Sequence, residues 1–391
     1  MPRRARAAGR RTLLVTLVAL AVLCGCTGGS RVSSTPKPPG SGTEEEVERA
    51  VERLVRTDGF PAALAAVSDG DGRVRDYTAG VADLATGAPV PVNGRVRAAS
   101  NTKTFTAVVV LQLVGEGRVR LDGPVETYLP GLLRGDGIDG RRVTVRHLLQ
   151  HTSGLPDYTD SLSEDPFPRR DRYTPPRELL DLALAHPARF PPGARWEYSN
   201  TNYVLAGLLA QAVTGRPLAE LVTRRIIEPL RLRHTYFPAT GDRHIRGPHP
   251  KGYHATRPGR ELKDITVMDP SWGWAAGQLI TTPRDLNRFY TALLKGKLLE
   301  PAQLRQMRTT VGAQDLWPGA RYGLGLVSTP LSCGGLAWGH GGDIPGFHTR
   351  GGATDDGRSV TLALTALPTA LPDAEAAARH VLSAVDAALC D

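Results

Sequence analysis

The chain has 391 residues, a formal net charge of +9 and 41% hydrophobic residues. That apolar share can bury a core and excludes a disordered polymer. Charge is spread along the chain and only one long apolar run stands out, which excludes a multi-span membrane protein.

The run from Met1 to Arg11 carries five arginines and no acid. Residues 12–23 follow as an apolar stretch, shorter than the roughly 20 residues that span a bilayer. A basic head and a short apolar body predict an export signal over 1–25. Leu23-Cys24-Gly25-Cys26 matches a bacterial lipobox and predicts a lipid on Cys26; the alternative is an ordinary secretory signal. Arg10-Arg11 also resembles a twin-arginine signal. Removing the five arginines leaves a net charge of +4, so no nucleic-acid partner is expected. Residues 26–43 are rich in Gly, Ser, Pro and Thr and read as a flexible tether. The expected location is extracytoplasmic, anchored to the cell membrane.

Residues 44–391 read as one folded domain. A charged amphipathic helix is predicted over 44–56. Strands over 62–68 and 74–79 flank the turn Asp69-Gly70-Asp71-Gly72. An apolar helix follows over 101–117. Further helices fit 144–150, 176–186, 201–213 (stopped by Gly215) and 218–230. Residues 153–176 read as a long irregular loop of the kind that often carries function. Thr282-Pro283 opens a helix to about 294. Strands are predicted over 323–328, 335–338, 347–350 and 359–364, and a last helix over 374–389. Strands at both ends with helices between predict an α/β fold: an α/β part over 44–120 and 270–391, interrupted by an all-helical part over 121–269. After processing two cysteines remain, Cys333 and Cys390; an oxidising compartment favours pairing them, the alternative being two thiols.

Three segments carry chemistry. Ser100 and Lys103 stand one helical turn apart, so they share a face. The hydroxyl lies near a helix N-terminus, and a desolvated lysine can accept its proton. The plain alternative is a capping serine beside a surface lysine. Tyr198-Ser199-Asn200 precedes a helix; the phenol can relay protons and the amide can hold a substrate carbonyl or the lysine. Trp338-Gly339-His340-Gly341-Gly342-Asp343 follows a strand. Its glycines allow close backbone approach, its N–H groups suit an oxyanion, and His340 can hydrogen-bond or charge-pair with a substrate carboxylate.

S-x-x-K, Y-x-N and H-x-G, in that order, resemble the serine β-lactamase and penicillin-binding protein superfamily, within it the class C β-lactamase and actinobacterial D-alanyl-D-alanine carboxypeptidase branch. Flanking segments agree, including His151-Thr152-Ser153-Gly154-Leu155-Pro156 and Ala275-Ala276-Gly277. The resemblance implies a β-lactamase-like antiparallel sheet flanked by helices. It implies Ser100 as the acylated nucleophile, Lys103 as its base and Tyr198 as proton shuttle. Asn200, His340 and Gly342 would bind substrate, and the backbone N–H groups of Ser100 and Asp343 would form the oxyanion hole. No metal or other cofactor is needed, and a monomer is expected. The implied activity is D-alanyl-D-alanine carboxypeptidase-like hydrolysis of cell-wall peptides. The alternatives are a β-lactamase or esterase on the same site, or a penicillin-binding sensor without turnover. One departure bears on substrate: the carboxypeptidases read His-Thr-Gly-Thr where this chain has His340-Gly341-Gly342-Asp343, which weakens binding of a terminal carboxylate.

Other residues have plainer readings. His151 is read as structural. His244, His249 and His254 are read as a basic surface loop rather than metal ligands. Trp272 and Trp274 fit equally well as site walls or as packing.

Overall fold

The computed structural model describes residues 41–390. The predicted export signal over 1–25, Cys26 and most of the predicted tether lie outside the described residues. The first helix spans Ser41–Arg56, so it begins three residues before its predicted start.

The framework is a ten-stranded sheet in which every described pair is antiparallel. Its centre joins the two ends of the chain: Ala62–Ser68 pairs with Ser359–Leu364, in register Ala63↔Leu364. Val74–Asp83 lies outside Ala62–Ser68. Phe347–Ala353, Leu336–Gly339 and Val327–Pro330 extend the other side. Side chains alternate across this sheet, and the central strands Ala62–Ser68 and Ser359–Leu364 are buried on both faces, whereas the outer strand Val74–Asp83 is mostly exposed or half-buried. Ala63, Ala65, Leu362 and Leu364 pack with Val47, Val51 and Leu54 of the first helix and Val381 and Leu389 of the last, Ala374–Cys390. Ala62, Leu64 and Ala363 point the other way. On that face the helix Pro283–Leu294 sends Asn287 to the Ala66 carbonyl (2.8 Å) and to Thr361 Oγ1 (2.8 Å). Thr282 caps this helix by accepting from Asp285 N–H, as a threonine before proline should.

The region 121–269 is mostly helix and loop, with helices Val145–Leu149, Pro176–Leu184 and Thr201–Thr214. It is not all-helical. Two short ladders interrupt it, Arg134–Gly135 with Ile138–Asp139 and Tyr253–His254 with Lys263–Asp264. Two-residue ladders have too few residues to show a period-2 pattern. The run 218–230 is helical but contains a π turn over Thr223–Ile227. The strand expected over 323–328 forms later, at Val327–Pro330. Gly325 explains the shift. Its φ is +75°, and a Cβ there would lie 2.5 Å from the Ala107 Cβ and 2.7 Å from the Tyr203 hydroxyl. A helix Pro301–Met307 has no counterpart in the sequence reading.

Cys333 and Cys390 form a disulfide, with Cα atoms 5.5 Å apart. It ties the last helix to the turn before Leu336–Gly339. Among the described residues no helix is long and apolar enough to cross a membrane. The bridge closes a loop across a separation of 57 residues. Replacing both cysteines by serine is expected to lower unfolding stability by about 2–4 kcal/mol, read by urea denaturation, with catalytic constants kept because neither cysteine touches the cavity described next.

Candidate active site

Ser100 sits in a 3₁₀ turn, Ala99–Asn101, that leads into the buried helix Thr102–Gly115. The turn's bonds run from Asn101 N to Ala98 O and from Thr102 N to Ala99 O. They leave the Ser100 N–H out, so it can serve an incoming oxygen. Asn101 is buried and locks the turn: its Nδ2 donates to Ala98 O (2.9 Å) and Thr349 Oγ1 (2.8 Å), and its Oδ1 accepts from the Tyr290 hydroxyl (2.7 Å). Ala99 pays for the turn with φ of +48°, a strained value for a residue with a Cβ.

Lys103 is fully buried. Its Nζ donates to Ser100 Oγ (3.0 Å), Asn200 Oδ1 (2.7 Å) and Ala276 O (2.9 Å). Burial lowers its pKa to about 7, against the opposing pull of Asp157 and Asp343. A large fraction is therefore neutral at neutral pH and able to take the serine proton. Tyr198 lies beside it, with the lysine nitrogen 4.9 Å from its ring centre. The phenol pairs with the Ser100 side chain, and burial pushes its pKa well up. At neutral pH it is a neutral hydroxyl rather than a phenolate, a group that can donate one hydrogen and accept another.

Asn200 is oriented from below. Its backbone N and its Nδ2 both donate to Asp157 Oδ2, at 2.9 and 2.8 Å. The amide must then turn its oxygen to Lys103. Burial raises the Asp157 pKa, while N–H donors from Thr159 and Asn200 oppose the rise. The sequence reading did not single out Asp157. It stands in the loop after His151-Thr152-Ser153-Gly154, and its signal is only that the expected functional loop begins there.

The opposite wall is built by a proton-ordered chain. Ser199 N–H donates to His151 Nδ1 (3.2 Å), which fixes His151 as the Nε2–H tautomer. Its Nε2–H then donates to the Tyr322 hydroxyl (3.2 Å), and the Tyr322 O–H donates to His340 Nε2 (2.9 Å). His340 Nδ1–H ends the chain on Gly341 O (2.6 Å). His340 is buried and its pKa falls to about 3, first through desolvation and then through Lys103. It is a neutral ring with both nitrogens used. This corrects the expectation that His340 supplies charge to a substrate carboxylate: its ring lines the cavity, and its hydrogen-bonding capacity is spent inside the protein. His151, read as structural, is the buried start of this chain and packs 4.3 Å from the Tyr198 ring.

Gly342 also departs from expectation. It does not line the cavity. A Cβ there would lie 2.3 Å from Ala98 O and 2.4 Å from Thr349 Oγ1, so the glycine lets the short strand Gly342–Ile344 lie against the Ser100 turn. That strand pairs along one edge with Phe347–Ala353, bringing the Asp343 backbone near the nucleophile turn. The Asp343 carboxylate is taken by Arg350 (2.9 Å) and by His348 Nδ1, which hold its pKa far below the usual carboxylate range.

These groups surround a cavity of about 480 Å³, lined by Ser100, Tyr198, Asn200, His340, Asp343 and Arg350. Trp272 lines it too, whereas Trp274 packs against Gly207 and the helical core. His254 is buried with neither ring nitrogen paired, not on a surface loop. Among the described residues no group of histidines, cysteines and acids could hold a metal ion.

Comparison with known proteins agrees with this geometry. The Beta-lactamase family model matches residues 47–386. A D-stereospecific amidohydrolase from Streptomyces sp. superposes with a TM-score of 0.80 at 40% identity, covering 87% of this chain and 98% of that one. The D-amino acid amidase of Ochrobactrum anthropi SV3 superposes at 0.76 and 27% identity, covering 88% and 99%. A putative penicillin-binding protein PbpX of Bacillus subtilis (strain 168) is 26% identical over 67% of this chain. The chain spans between 42% and 60% of the length of the curated relatives it matches. The chain belongs to the Beta-lactamase family, a family of serine hydrolases.

Two pH measurements test the assignment of Lys103 as base. With p-nitrophenyl acetate as acyl donor, kcat/KM is expected to rise about tenfold per unit below pH 7 and to level above it, because only the neutral amine accepts the serine proton. Asp157→Asn removes a negative charge that favours the ammonium. It is expected to move that limb to lower pH and to lower kcat by up to about a hundredfold as Asn200 loses its fixed orientation. A limb that stays in place would remove Asp157 from the electrostatics of the base.

Proposed function

We propose that the protein hydrolyses amide bonds of D-amino acid derivatives through an acyl-enzyme on Ser100. One observation carries the choice of substrate. Among the described residues lining the cavity no cation is free to meet a substrate's terminal carboxylate: Arg350 is bound to Asp343, and His340 is neutral with both nitrogens occupied. A D-alanyl-D-alanine carboxypeptidase or a β-lactamase must hold such a carboxylate. An amidase does not need to. The likeness to a D-stereospecific amidohydrolase and a D-amino acid amidase supports the same reading.

The steps follow from the distances. Neutral Lys103 Nζ, 3.0 Å from Ser100 Oγ, takes the hydroxyl proton as oxygen attacks the substrate carbonyl carbon. The carbonyl oxygen becomes an oxyanion, received by the N–H groups of Ser100 and Asp343. The C–N bond then breaks. The departing nitrogen takes a proton from the Tyr198 hydroxyl, which is replenished from the Lys103 ammonium. Water attacks the ester on Ser100, gives its proton back through the same groups and releases the acid. Asn200 holds the substrate through the Nδ2 hydrogen that Asp157 leaves free.

For location, the basic apolar leader and Cys26 support an exported, lipid-anchored protein. Incorporation of labelled palmitate into the wild type and its loss in Cys26→Ala tests that part.

For the reaction, the full chain is assayed on D-phenylalanine amide, L-phenylalanine amide, an acyl-D-Ala-D-Ala peptide and benzylpenicillin. The D-amide is expected to be the fastest, with Ser100→Ala about a thousandfold slower or worse. Faster release of D-alanine from the peptide would replace this reading by the carboxypeptidase. A lasting mass adduct of penicillin without turnover would replace it by the sensor.

A further inference from the structure

The carboxylate of Asp343 is shared between Arg350 and His348. The guanidinium of Arg350 is in turn occupied by Asp343 and by the Thr349 carbonyl (2.9 Å). Lys103 is buried behind the wall and donates to three acceptors. Asp315 also lines the cavity, and it is exposed there. No hydrogen bond or ion pair engages its side chain among the described residues.

The backbone holds Asp315 at that wall. Its loop joins the strands Val311–Gly312 and Arg321–Tyr322. It is closed by Ala313 N to Ala320 O (3.1 Å), Leu316 N to Ala313 O (3.0 Å) and Ala320 N to Trp317 O (3.1 Å). Trp317 anchors the tip, with its Nε1 donating to Thr329 Oγ1 (3.0 Å). The buried far end of the loop, Tyr322, is the middle member of the His151–Tyr322–His340 chain. The loop that carries Asp315 is thus tied to the wall opposite Ser100.

We propose that Asp315 selects acyl donors that carry an ammonium group, by pairing with it inside the cavity. The proposal rests on the amidase reading and deepens it. A substrate that enters the cavity displaces water from this carboxylate. A neutral or anionic donor leaves the charge poorly solvated, while an ammonium replaces the lost water. Trp317, next but one in the loop, lines the same cavity with its ring already facing the Arg350 guanidinium, 5.4 Å from the ring centre, so the Asp315 carboxylate is the group left for the substrate cation. The ammonium has two sources in an amino acid amide, the α-amine and a basic side chain.

The test is a ratio of kcat/KM values on the full chain. D-phenylalanine p-nitroanilide carries the α-ammonium, N-acetyl-D-phenylalanine p-nitroanilide carries none, and N-acetyl-D-lysine p-nitroanilide carries only the side-chain ammonium. The wild type is expected to prefer one of the ammonium-bearing donors over the neutral one, and the preferred one identifies the source. Asp315→Asn is expected to cut that preference about tenfold, and added salt to cut it in the wild type but not in the variant. Asp315→Lys is expected to invert it toward N-succinyl-D-phenylalanine p-nitroanilide. An unchanged ratio in both variants overturns the proposal, as does an equal loss on all donors, which is what a merely structural role would give. If the wild type cleaves none of the anilides yet hydrolyses p-nitrophenyl acetate, the amidase reading fails. The same ratio is then taken on D-phenylalanine and N-acetyl-D-phenylalanine methyl esters, where an unchanged value in Asp315→Asn again overturns the role of Asp315.

Discussion

One nitrogen holds the catalytic centre together. Lys103 Nζ reaches Ser100, Asn200 and Ala276, which come from three segments far apart in the chain. Each acceptor is a neutral oxygen. Three neutral acceptors satisfy the donors of an ammonium without the carboxylate that would hold the charge firmly. The result is a lysine whose pKa falls to about 7, poised between holding these segments and taking a proton from one of them. The anions that act on it do so at second hand. Asp157 acts through the Asn200 amide and Asp343 across the cavity, so each steadies the ammonium without fixing it.

The wall opposite the nucleophile follows a different rule. It is set by direction of hydrogen bonding rather than by charge. Two donors, the Ser199 N–H and the Asn202 amide, decide which nitrogen of His151 bears hydrogen, and that choice passes through Tyr322 to His340. Ser199 lies between Tyr198 and Asn200, so the same short segment supplies a phenol on the cavity, the lysine's acceptor and a donor that sets the tautomer of the far wall. Backbone strain gathers here as well. Ala99, His151 and Trp274 have positive φ values of 48°, 59° and 30°. All three lie beside catalytic groups, where the surrounding hydrogen bonds and packing hold a conformation that an isolated peptide would leave.

The parts legible in the sequence are those whose geometry is local. Ser100 and Lys103 are one helical turn apart, so their contact is written in their spacing. The apolar pattern of 62–68 and 359–364 marks strands, and the structure brings those two together at the centre of the sheet. What was illegible depends on partners distant in sequence. Nothing local in Asp157 says that Asn200 will be above it, and nothing in Tyr322 says that two histidines will flank it. His340 shows the same limit from the other side. Its residue type suggests a positive charge, but burial and two intramolecular hydrogen bonds decide otherwise. The short ladders in the 121–269 region and the delayed strand at Val327–Pro330 escape detection because two to four residues carry no readable period, and a close approach such as Gly325 to Lys103 is visible only in the fold.

Under the proposed amidase reading, the division between the two walls also separates chemistry from selection. In that reading, proton transfer and acylation would involve Ser100, Lys103, Tyr198 and Asn200; the lysine bonds Ser100 and Asn200 directly and lies against the Tyr198 ring. The Asp343–Arg350 pair belongs to the sheet side, where adjacent strands hold both partners. Closing that pair removes a cation from the cavity without touching the lysine. A chain that left Arg350 open would present a positive wall to the same nucleophile. The charge that a substrate meets can therefore change by the pairing of two strand residues, while the groups that move the proton keep their places.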